Sequence, residues 1–534
     1  MELLRELLKL QEDRGFLADE TLRQLSKSRN VPLYRLEELV SFYPAFRRSP
    51  PAKTTVHVCR DITCAMRACK SLTAEFRERI AGRNDVEIHE VSCLGRCDTP
   101  PAASINEVPV QASSLEQLLD CIDGKKTPKD NCPTTDSPRR TCDPYQSADE
   151  RYATVRAMGL EADEILSRLS GAGLRGMGGA GFPTGRKWEM VRNEKSDTKY
   201  VICNADESEP GTFKDRGILE ELPHLVVEGM LLAGLTIGAK TGIVYLRHEY
   251  ESERLVLQEA IEDARRRGVL GEDAVGTGRD FDIEIFVSPG GYILGEETAL
   301  LEALEDKRGE PRNKPPYPGQ YGLWGQPTLI NNVETFAFAT SIVHHGVDWW
   351  KSQGRGDFLG LKFVSISGDV TVPGVYEIPI GTTVNELIDL AGGVFSGESL
   401  QAFLPGGASS NFLPASKADT PLDFDAMQAA GSMLGTGAVI VIGQRHNLFE
   451  LATNLVRFFR NESCGKCVPC RIGSEKAVTI LEDVLSGASA SQLDILPELG
   501  ETLEQTSICG LGQVALSPVL SLLSNIPEAI PKSE

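Results

Sequence analysis

The run GLRGMGGAGFPTGRKW, Gly173 to Trp188, holds six glycines and closes on Lys187 and Trp188. Glycines at Gly176, Gly178, Gly179, Gly181 and Gly185 let backbone N–H groups come close to a phosphate, and the lysine just beyond them adds a point charge. Phe182 and Thr184 lie inside the same run. It is not a Walker A loop, since no Lys-Ser/Thr pair follows the last glycine, nor a plain G-x-G-x-x-G turn. Taken alone, a structural glycine-rich loop is the alternative reading.

The segments downstream favour a cofactor. NADESEPGTFKDR supplies Asn204, Asp206, Glu207 and Glu209; GGYILGEETAL supplies Tyr292, Gly295, Glu296 and Glu297; TLINNVET supplies Asn331, Asn332 and Thr335. Amides and carboxylates that follow apolar runs suit the ribityl hydroxyls and ring edge of a flavin, with further acceptors for a ribose. For any one of them a solvated acidic loop is the alternative. Glycine-rich turns mixed with apolar runs at 200–203 and 242–245 predict a Rossmann-like α/β domain over 150–350, with functional loops at its strand ends.

Two cysteine groups flank this domain in sequence. Cys464, Cys467 and Cys470 form C-x2-C-x2-C, and Cys509 lies far downstream. Three thiolates on one turn plus one distant thiolate can hold a 4Fe-4S cubane. A zinc site is the alternative, although zinc ligands normally come as two C-x2-C pairs. Cys59 and Cys64, then Cys93 and Cys97, each follow a β run, and two such pairs can bracket a 2Fe-2S centre, again with zinc as the alternative. Cys69 reads as a buried small hydrophobe, Cys121, Cys132, Cys142 and Cys203 have no partner pattern, and the seven histidines show no ligand spacing.

The rest of the chain divides around these groups. Leucines at helical spacing predict a small helical bundle over 1–50. Alternating β runs and helices predict a compact α/β domain over 53–125, its last helix opened by a capping pattern from Ser113 to Glu116. Residues 126–149 are polar and rich in Pro, Thr and Asp, as in a linker. A β run at Phe363 to Ser367, a Pro373-Gly374 turn and a helix capped by Thr383 and Glu386 predict a small β-rich domain over 355–442. Residues 443–534 read as helical around the second cysteine loop. The fold class is thus multidomain α/β and α+β.

With 534 residues, 41% apolar and 25% charged, the chain is expected to be folded and multidomain. A formal charge of −21, without long Lys/Arg blocks, argues against nucleic acid. The N-terminus has no signal-peptide pattern, no apolar run reaches the roughly 20 residues that span a bilayer, and thirteen cysteines, eight of them in two groups with cluster spacing, suit a reducing compartment. The expectation is a cytoplasmic protein with no direct membrane insertion.

Taken together, GLRGMGGAGFPTGRKW, NADESEPGTFKDR, GGYILGEETALLEALE, INNVET and ESCGKCVPCRIG resemble the NADH-binding flavoprotein subunit of respiratory complex I and its relatives, in the same order, from about residue 150 to the C-terminus. The resemblance implies that the Gly176–Gly185 loop and Lys187 hold FMN, with Asn204, Asp206, Asn331 and Asn332 around its phosphate, ribityl chain and ring. It further implies that Phe182 stacks on the NADH adenine and that Glu209, Glu296 and Glu297 line the nicotinamide and ribose pocket, Glu209 being the catalytic candidate. Thr184, Glu207, Tyr292, Gly295 and Thr335 belong to the same implied cofactor shell. GDVTVPGVYEIPIGTT resembles that family's β-grasp domain, and the C-terminal helices its 4Fe-4S bundle. Met177, Arg186 and Met190 depart from the family pattern, which has Arg, Leu and an aromatic there.

Residues 1–125 resemble the thioredoxin-like 2Fe-2S subunit of complex I, here fused ahead of the flavoprotein. Such fusions resemble diaphorase subunits of NAD-dependent formate dehydrogenases and NAD-reducing hydrogenases. The implied activity is hydride exchange between NAD(H) and FMN, then one-electron transfer through 4Fe-4S and 2Fe-2S clusters to a partner. That partner is expected to be a catalytic iron-sulfur subunit: a molybdenum or tungsten formate dehydrogenase first, then a hydrogenase, an acyl-CoA redox complex or a complex I-type dehydrogenase. The rival from another class is a non-catalytic, zinc-bearing scaffold.

Overall fold

The computed structural model describes residues 1–67, 69–111, 114–128, 139–157 and 161–531. Helices Glu2–Arg14, Asp19–Arg29 and Leu33–Phe42 form the expected N-terminal bundle. Leu4, Leu7, Leu22, Leu36 and Leu39 are fully buried, but in a core shared with Phe286, Leu301 and Leu304 of the central domain. The N-terminal ammonium fixes the arrangement by pairing with Asp306 at 2.8 Å and donating to Leu304 O at 2.6 Å.

Strands β1 (Thr54–Cys59), β2 (Val86–Val91), β3 (Ala102–Ile105) and β4 (Val108–Gln111) form one sheet in the order β2-β1-β3-β4. β1 and β2 are parallel, and β3 and β4 run as an antiparallel hairpin. Helix Leu115–Ile122 is capped by Ser114, whose hydroxyl accepts from Gln117 N; Ser113, the expected cap, lies outside the described residues. The side chain of Cys69 and the whole of Cys132 also lie outside them.

The central domain is a four-stranded parallel sheet of β5 (Tyr200–Ala205), β6 (Thr241–Leu246), β7 (Asp282–Val287) and β8 (Thr328–Asn332), ordered β7-β6-β5-β8. The chain steps outward from β5 to β7 and then returns to the other side of β5. The point of reversal lies between β5 and β8, where ligands bind in open α/β sheets, beyond the carboxyl ends of the strands. Asn204 and Asn332 face each other in register there. The apolar helix Pro223–Ile237 is buried almost throughout and crosses helix Val333–His345 so closely that a Cβ on Gly229 would stand 2.2 Å from Phe336 O. No helix of the described residues is long and apolar enough to cross a membrane.

Strands β9 (Leu361–Gly368), β10 (Gly374–Pro379), β11 (Leu400–Leu404), β12 (Leu413–Pro414) and β13 (Ala438–Gly443) make a mixed sheet, ordered β10-β9-β13-β11-β12. Its helix Val384–Leu390 starts with the expected Thr383–Glu386 capping box. Helices Leu448–Asn461, Val468–Leu485, Leu496–Thr506, Gly510–Val514 and Ser517–Asn525 complete the chain.

The stretch expected as linker, 126–149, is not free along its described second half. Cys142 and Tyr145 are buried in the core of the central domain. The Tyr145 hydroxyl donates to the buried Glu228, Cys142 N donates to Glu377 at 2.8 Å, and Arg140 pairs with Glu221 at 2.6 Å. Polar composition reads as linker, but here polar groups meet partners supplied by distant elements.

Candidate functional site

The glycine loop connects helix Ala162–Ala172 to helix Thr184–Asn193 and lies over the carboxyl ends of β5 and β8. Gly179 and Gly181 have φ of 112° and 63°, a region open mainly to glycine. A Cβ on Gly178 would stand 3.1 Å from Asn332 Cβ, and one on Gly185 would stand 2.4 Å from Ser170 Oγ. The loop therefore rests directly on Asn332. Thr335 supports it from below by accepting from Met177 N at 2.9 Å. Thr184 is buried at the start of the following helix. Lys187 donates to Ile330 O at 2.7 Å, and Trp188 Nε1 donates to Asn331 Oδ1 at 2.9 Å.

Around that loop the acidic segments diverge. Asn204 Nδ2 donates to Gly295 O at 2.8 Å, joining β5 to the GGYILGEE turn. Asp206 accepts from Ser208 at 2.7 Å and Ser288 at 3.0 Å, and burial pushes its carboxyl up to about 6. Glu209 is buried, accepts from Ser409 N at 2.7 Å, and is pushed up to about 7 by burial. Tyr292 donates or accepts at the Ser409 hydroxyl, 3.2 Å away. The Ser409 loop belongs to the β-grasp domain, which thus closes one side of the site. Glu296 caps helix Glu297–Leu304 by accepting from Thr298 N and Ala299 N. Lys314 pairs with Glu296 at 3.0 Å and with Glu297 at 3.2 Å. Phe182 is exposed, with the Arg186 guanidinium 5.8 Å from its ring centre, and Met190 is exposed on the same helix. Glu207 differs from the expectation of a cofactor contact: its oxygens are taken up by Asp215 N, Arg216 N and the Tyr250 hydroxyl.

Both cysteine groups come together. Cys59, Cys64, Cys93 and Cys97 are each at most 3% exposed, and the Cys93 and Cys97 sulfurs are 3.4 Å apart. Cys464 lies in the loop between helices Leu448–Asn461 and Val468–Leu485, Cys467 is the N-cap of the second helix and Cys470 stands in its first turn. Cys509 closes on them from the start of helix Gly510–Val514, where a Cβ on Gly512 would stand 2.9 Å from Cys470 Cβ. Burial pushes Cys470 up to about 11 and Cys509 up to about 12, so metal must displace the thiol protons on binding. Among the described residues no group of three or more His, Cys, Asp or Glu is drawn around a single-ion site.

Family models match four stretches: the Nuo51 FMN-binding domain at 169–341, the NADH-ubiquinone oxidoreductase-F iron-sulfur binding region at 450–532, a thioredoxin-like [2Fe-2S] ferredoxin at 1–126 and an SLBB domain at 363–409. The HoxS alpha subunit of the Cupriavidus necator NAD-reducing hydrogenase is 34% identical over 97% of this chain and 90% of its own length. An NADH-quinone oxidoreductase subunit of Escherichia coli is 43% identical over 68% of this chain and 81% of its own. The crystal structure of an NAD+-reducing [NiFe]-hydrogenase in the H2-reduced state superimposes with a TM-score of 0.86, at 32% identity, covering 98% of this chain and 92% of that one. The chain belongs to the NADH-dehydrogenase flavoprotein family. It is an NADH dehydrogenase-type oxidoreductase with FMN, a 2Fe-2S and a 4Fe-4S cluster as its cofactors.

The residues present fit those groups. For FMN, the loop is stripped of side chains where it rests on Asn332, and Lys187 stands behind it. For the 2Fe-2S centre, backbone N–H groups point at three of the four sulfurs, each at 3.4 Å: Gly95 N at Cys93, Ala102 N at Cys64 and Gly211 N at Cys97. For the 4Fe-4S cluster, the Ser463 hydroxyl is 3.2 Å from Cys470 Sγ.

Sequence reasoning did not single out three further residues at this flavoprotein site. Glu462, two residues before Cys464, accepts from the Ser92 hydroxyl and, at 2.8 Å, from Tyr292 N. Lys214 is fully buried and pairs with Asp215 at 2.6 Å and Glu334 at 2.9 Å, while donating to Asn332 Oδ1 at 3.1 Å. Lys214 and Asp215 stand inside the NADESEPGTFKDR segment, which was the available signal; Glu462 offered none. A cleft of about 1650 Å³ opens between the N-terminal helices and the other domains, bordered by Cys93, Tyr292, Glu462 and Cys464. The glycine loop does not line it.

Proposed function

We propose that this chain is the NAD(H)-side electron-transfer module of a multisubunit oxidoreductase whose catalytic partner is a hydrogenase-type or formate dehydrogenase-type metal subunit. The observation that carries the reading is Glu462. One carboxylate, beside the first 4Fe-4S ligand, holds Ser92 next to Cys93 and the backbone of Tyr292 in the nucleotide-side turn, so the three cofactor regions are built as one unit. FMN, when bound, supplies the conversion between two-electron hydride exchange and one-electron transfer to clusters.

The side chains then have separate tasks. Lys187 and the glycine N–H groups hold the phosphate, and Asn204, Asp206, Asn331 and Asn332 orient the ribityl chain and ring. Phe182 offers an exposed face to an adenine, and Glu209, Glu296 and Glu297 line the nicotinamide and ribose positions. The Ser409 loop covers Glu209 and keeps water from it. Between the two partners, full-length similarity to a hydrogenase subunit supports the hydrogenase; formate dehydrogenase rests on the sequence resemblance alone. Metal analysis of the complex that co-purifies with the tagged chain tests the choice: nickel supports a hydrogenase, molybdenum or tungsten a formate dehydrogenase.

The same reading gives a nucleotide preference. Glu296 and Glu297 disfavour a 2′-phosphate, although Lys314 between them offsets part of their charge. The kcat/KM for NADH with ferricyanide is expected to exceed that for NADPH by at least roughly tenfold; comparable values would refute the assignment of these carboxylates to the ribose.

A further inference from the structure

The 2Fe-2S ligands are not finished by their own domain. Cys93 and Cys97 lie on a loop in apolar contact with Phe213 of the central domain and Val375 of β10 in the β-grasp domain. The Gly211 N–H, in the segment between β5 and helix Lys214–Glu221, donates to Cys97 Sγ at 3.4 Å. Arg247, after β6 and only 2% exposed, donates to Cys93 O and to Glu207 O. Arg216, equally buried, donates to Gly95 O at 2.6 Å and pairs with Asp98. The contact is shaped for close approach. Gly95 has φ +69°, and a Cβ there would stand 2.7 Å from Tyr250 Cε1 and 3.0 Å from Arg247 Nη1. Gly211 has φ +93° and is backed by Ile440 Cδ1, 2.7 Å from where a Cβ would be.

The other ligand pair is treated differently. Cys64 takes its N–H from Ala102 within the same domain. Asp61, a buried carboxylate, lies between Cys59 and Cys64 in sequence and accepts from Cys93 N at 2.7 Å. On the far side Thr63 meets Ser367 at 3.5 Å, a contact between two neutral hydroxyls.

We infer that the central domain tunes the 2Fe-2S centre across the domain boundary: Gly211 N–H, Arg216 and Arg247 raise its reduction potential and direct the added electron to the iron held by Cys93 and Cys97. The inference rests on the proposed cluster ligands. Reduction adds one electron, delivered from NADH by way of the flavin, and hence one negative charge to the centre. Donors and cations that are already fixed in a buried site stabilise the state with the extra charge, and they act most on the nearest iron and its sulfurs. From the central domain one N–H and two guanidiniums converge on the Cys93/Cys97 loop, Arg216 sharing its charge with Asp98 and Arg247 with Glu249 at 2.9 Å, whereas the N–H given to Cys64 comes from its own domain.

The test uses the full holo-protein, with the 2Fe-2S signal followed by electron paramagnetic resonance in a redox titration. Arg247→Gln is expected to shift the reduced-to-oxidised ratio at fixed potential by about tenfold toward oxidised, or about 59 mV downward for a one-electron couple. Arg247→Lys retains the cation and should recover most of that shift, and Thr63→Val on the opposite side should leave the potential at the wild-type value. Equal potentials in Arg247→Gln and wild type, or an equal fall in Thr63→Val, would overturn the inference. Should Arg247→Gln fail to retain its cluster, the Arg216→Lys and Arg216→Gln pair reads the same quantity. Localisation is read separately: Cys97→Ser should perturb the g values of the reduced centre more than Cys64→Ser. The reverse order would place the electron on the other iron. Unequal iron content is corrected by spin count. A 2Fe-2S spectrum and midpoint unchanged in both Cys64→Ser and Cys97→Ser would refute the ligand assignment, whereas an unchanged midpoint in Arg247→Gln alone refutes the tuning, so the two failures are distinguishable.

Discussion

Burial alone pushes the Glu209 carboxyl up to about 7, with the Ser409 hydrogen bonds acting in the other direction. If Glu209 faces the nicotinamide, kcat/KM for NADH with ferricyanide should show an inflection near pH 7. Glu209→Gln should abolish that inflection and lower kcat/KM by roughly 100-fold; an unchanged profile would remove Glu209 from the site. Glu228 gives a structural control, since burial also pushes it up to about 7 and it accepts from Val155 N at 2.7 Å, far from the glycine loop in role. An acid with a folded-state pKa above its unfolded value binds more protons when folded, so its contribution to stability falls as pH rises from about 4.3 through about 7. Glu228→Gln should therefore flatten the slope of Tm against pH in that window, as read by calorimetry. A slope equal to that of the wild type would mean that Glu228 is not protonated in the fold.

At the scale of elements, the central and β-grasp domains are joined by a buried charge network rather than by apolar contact alone. Glu334, at the start of helix Val333–His345, accepts from Lys362 Nζ of β9 at 2.6 Å and from Phe363 N at 2.8 Å, and it also pairs with Lys214. All three charged side chains are fully buried. Burial lowers Lys362 to about 8, the expected direction for an ammonium removed from water. Glu334→Gln leaves the buried Lys362 ammonium without its counter-charge and Lys214 with Asp215 alone. It is expected to destabilise the protein by about 3–5 kcal/mol, measured by denaturant unfolding, and to loosen FMN through the Lys214–Asn332 contact. A loss below about 1 kcal/mol would show that the network contributes little. One helix cap at this scale was readable in advance: Thr383 with Glu386 formed as their spacing implies, because a capping box is closed within four residues.

For the whole molecule, the flavin-side residues and the 4Fe-4S ligands lie on different elements and should be separable. Cys467→Ser should lose the 4Fe-4S cluster, keep FMN, and keep most NADH–ferricyanide activity while failing to exchange electrons with the partner complex. If the 2Fe-2S centre lies off the main route, Cys59→Ser should slow or destabilise the complex without stopping partner reduction; if it lies on the route, partner reduction should stop as in Cys467→Ser. Iron and FMN contents, measured with both acceptors, check these outcomes; partner turnover surviving in cluster-free Cys467→Ser would defeat the route through that cluster.

What the sequence determined by itself was whatever is closed locally: the glycine loop, the C-x2-C-x2-C turn, the β runs ahead of each cysteine pair and the leucine spacing of the first helices. Each is fixed by steric freedom, ligand geometry or periodicity within a few residues. Only the tertiary structure decided that Gly211 N–H reaches Cys97, 114 positions away, and that Glu462 holds Ser92, 370 positions away. It also turned Glu207 toward Asp215 and Arg216, and packed Cys142 and Tyr145 where composition read as linker. These pairings leave no periodic trace, because a hydrogen bond between distant segments constrains one residue in each and nothing between them.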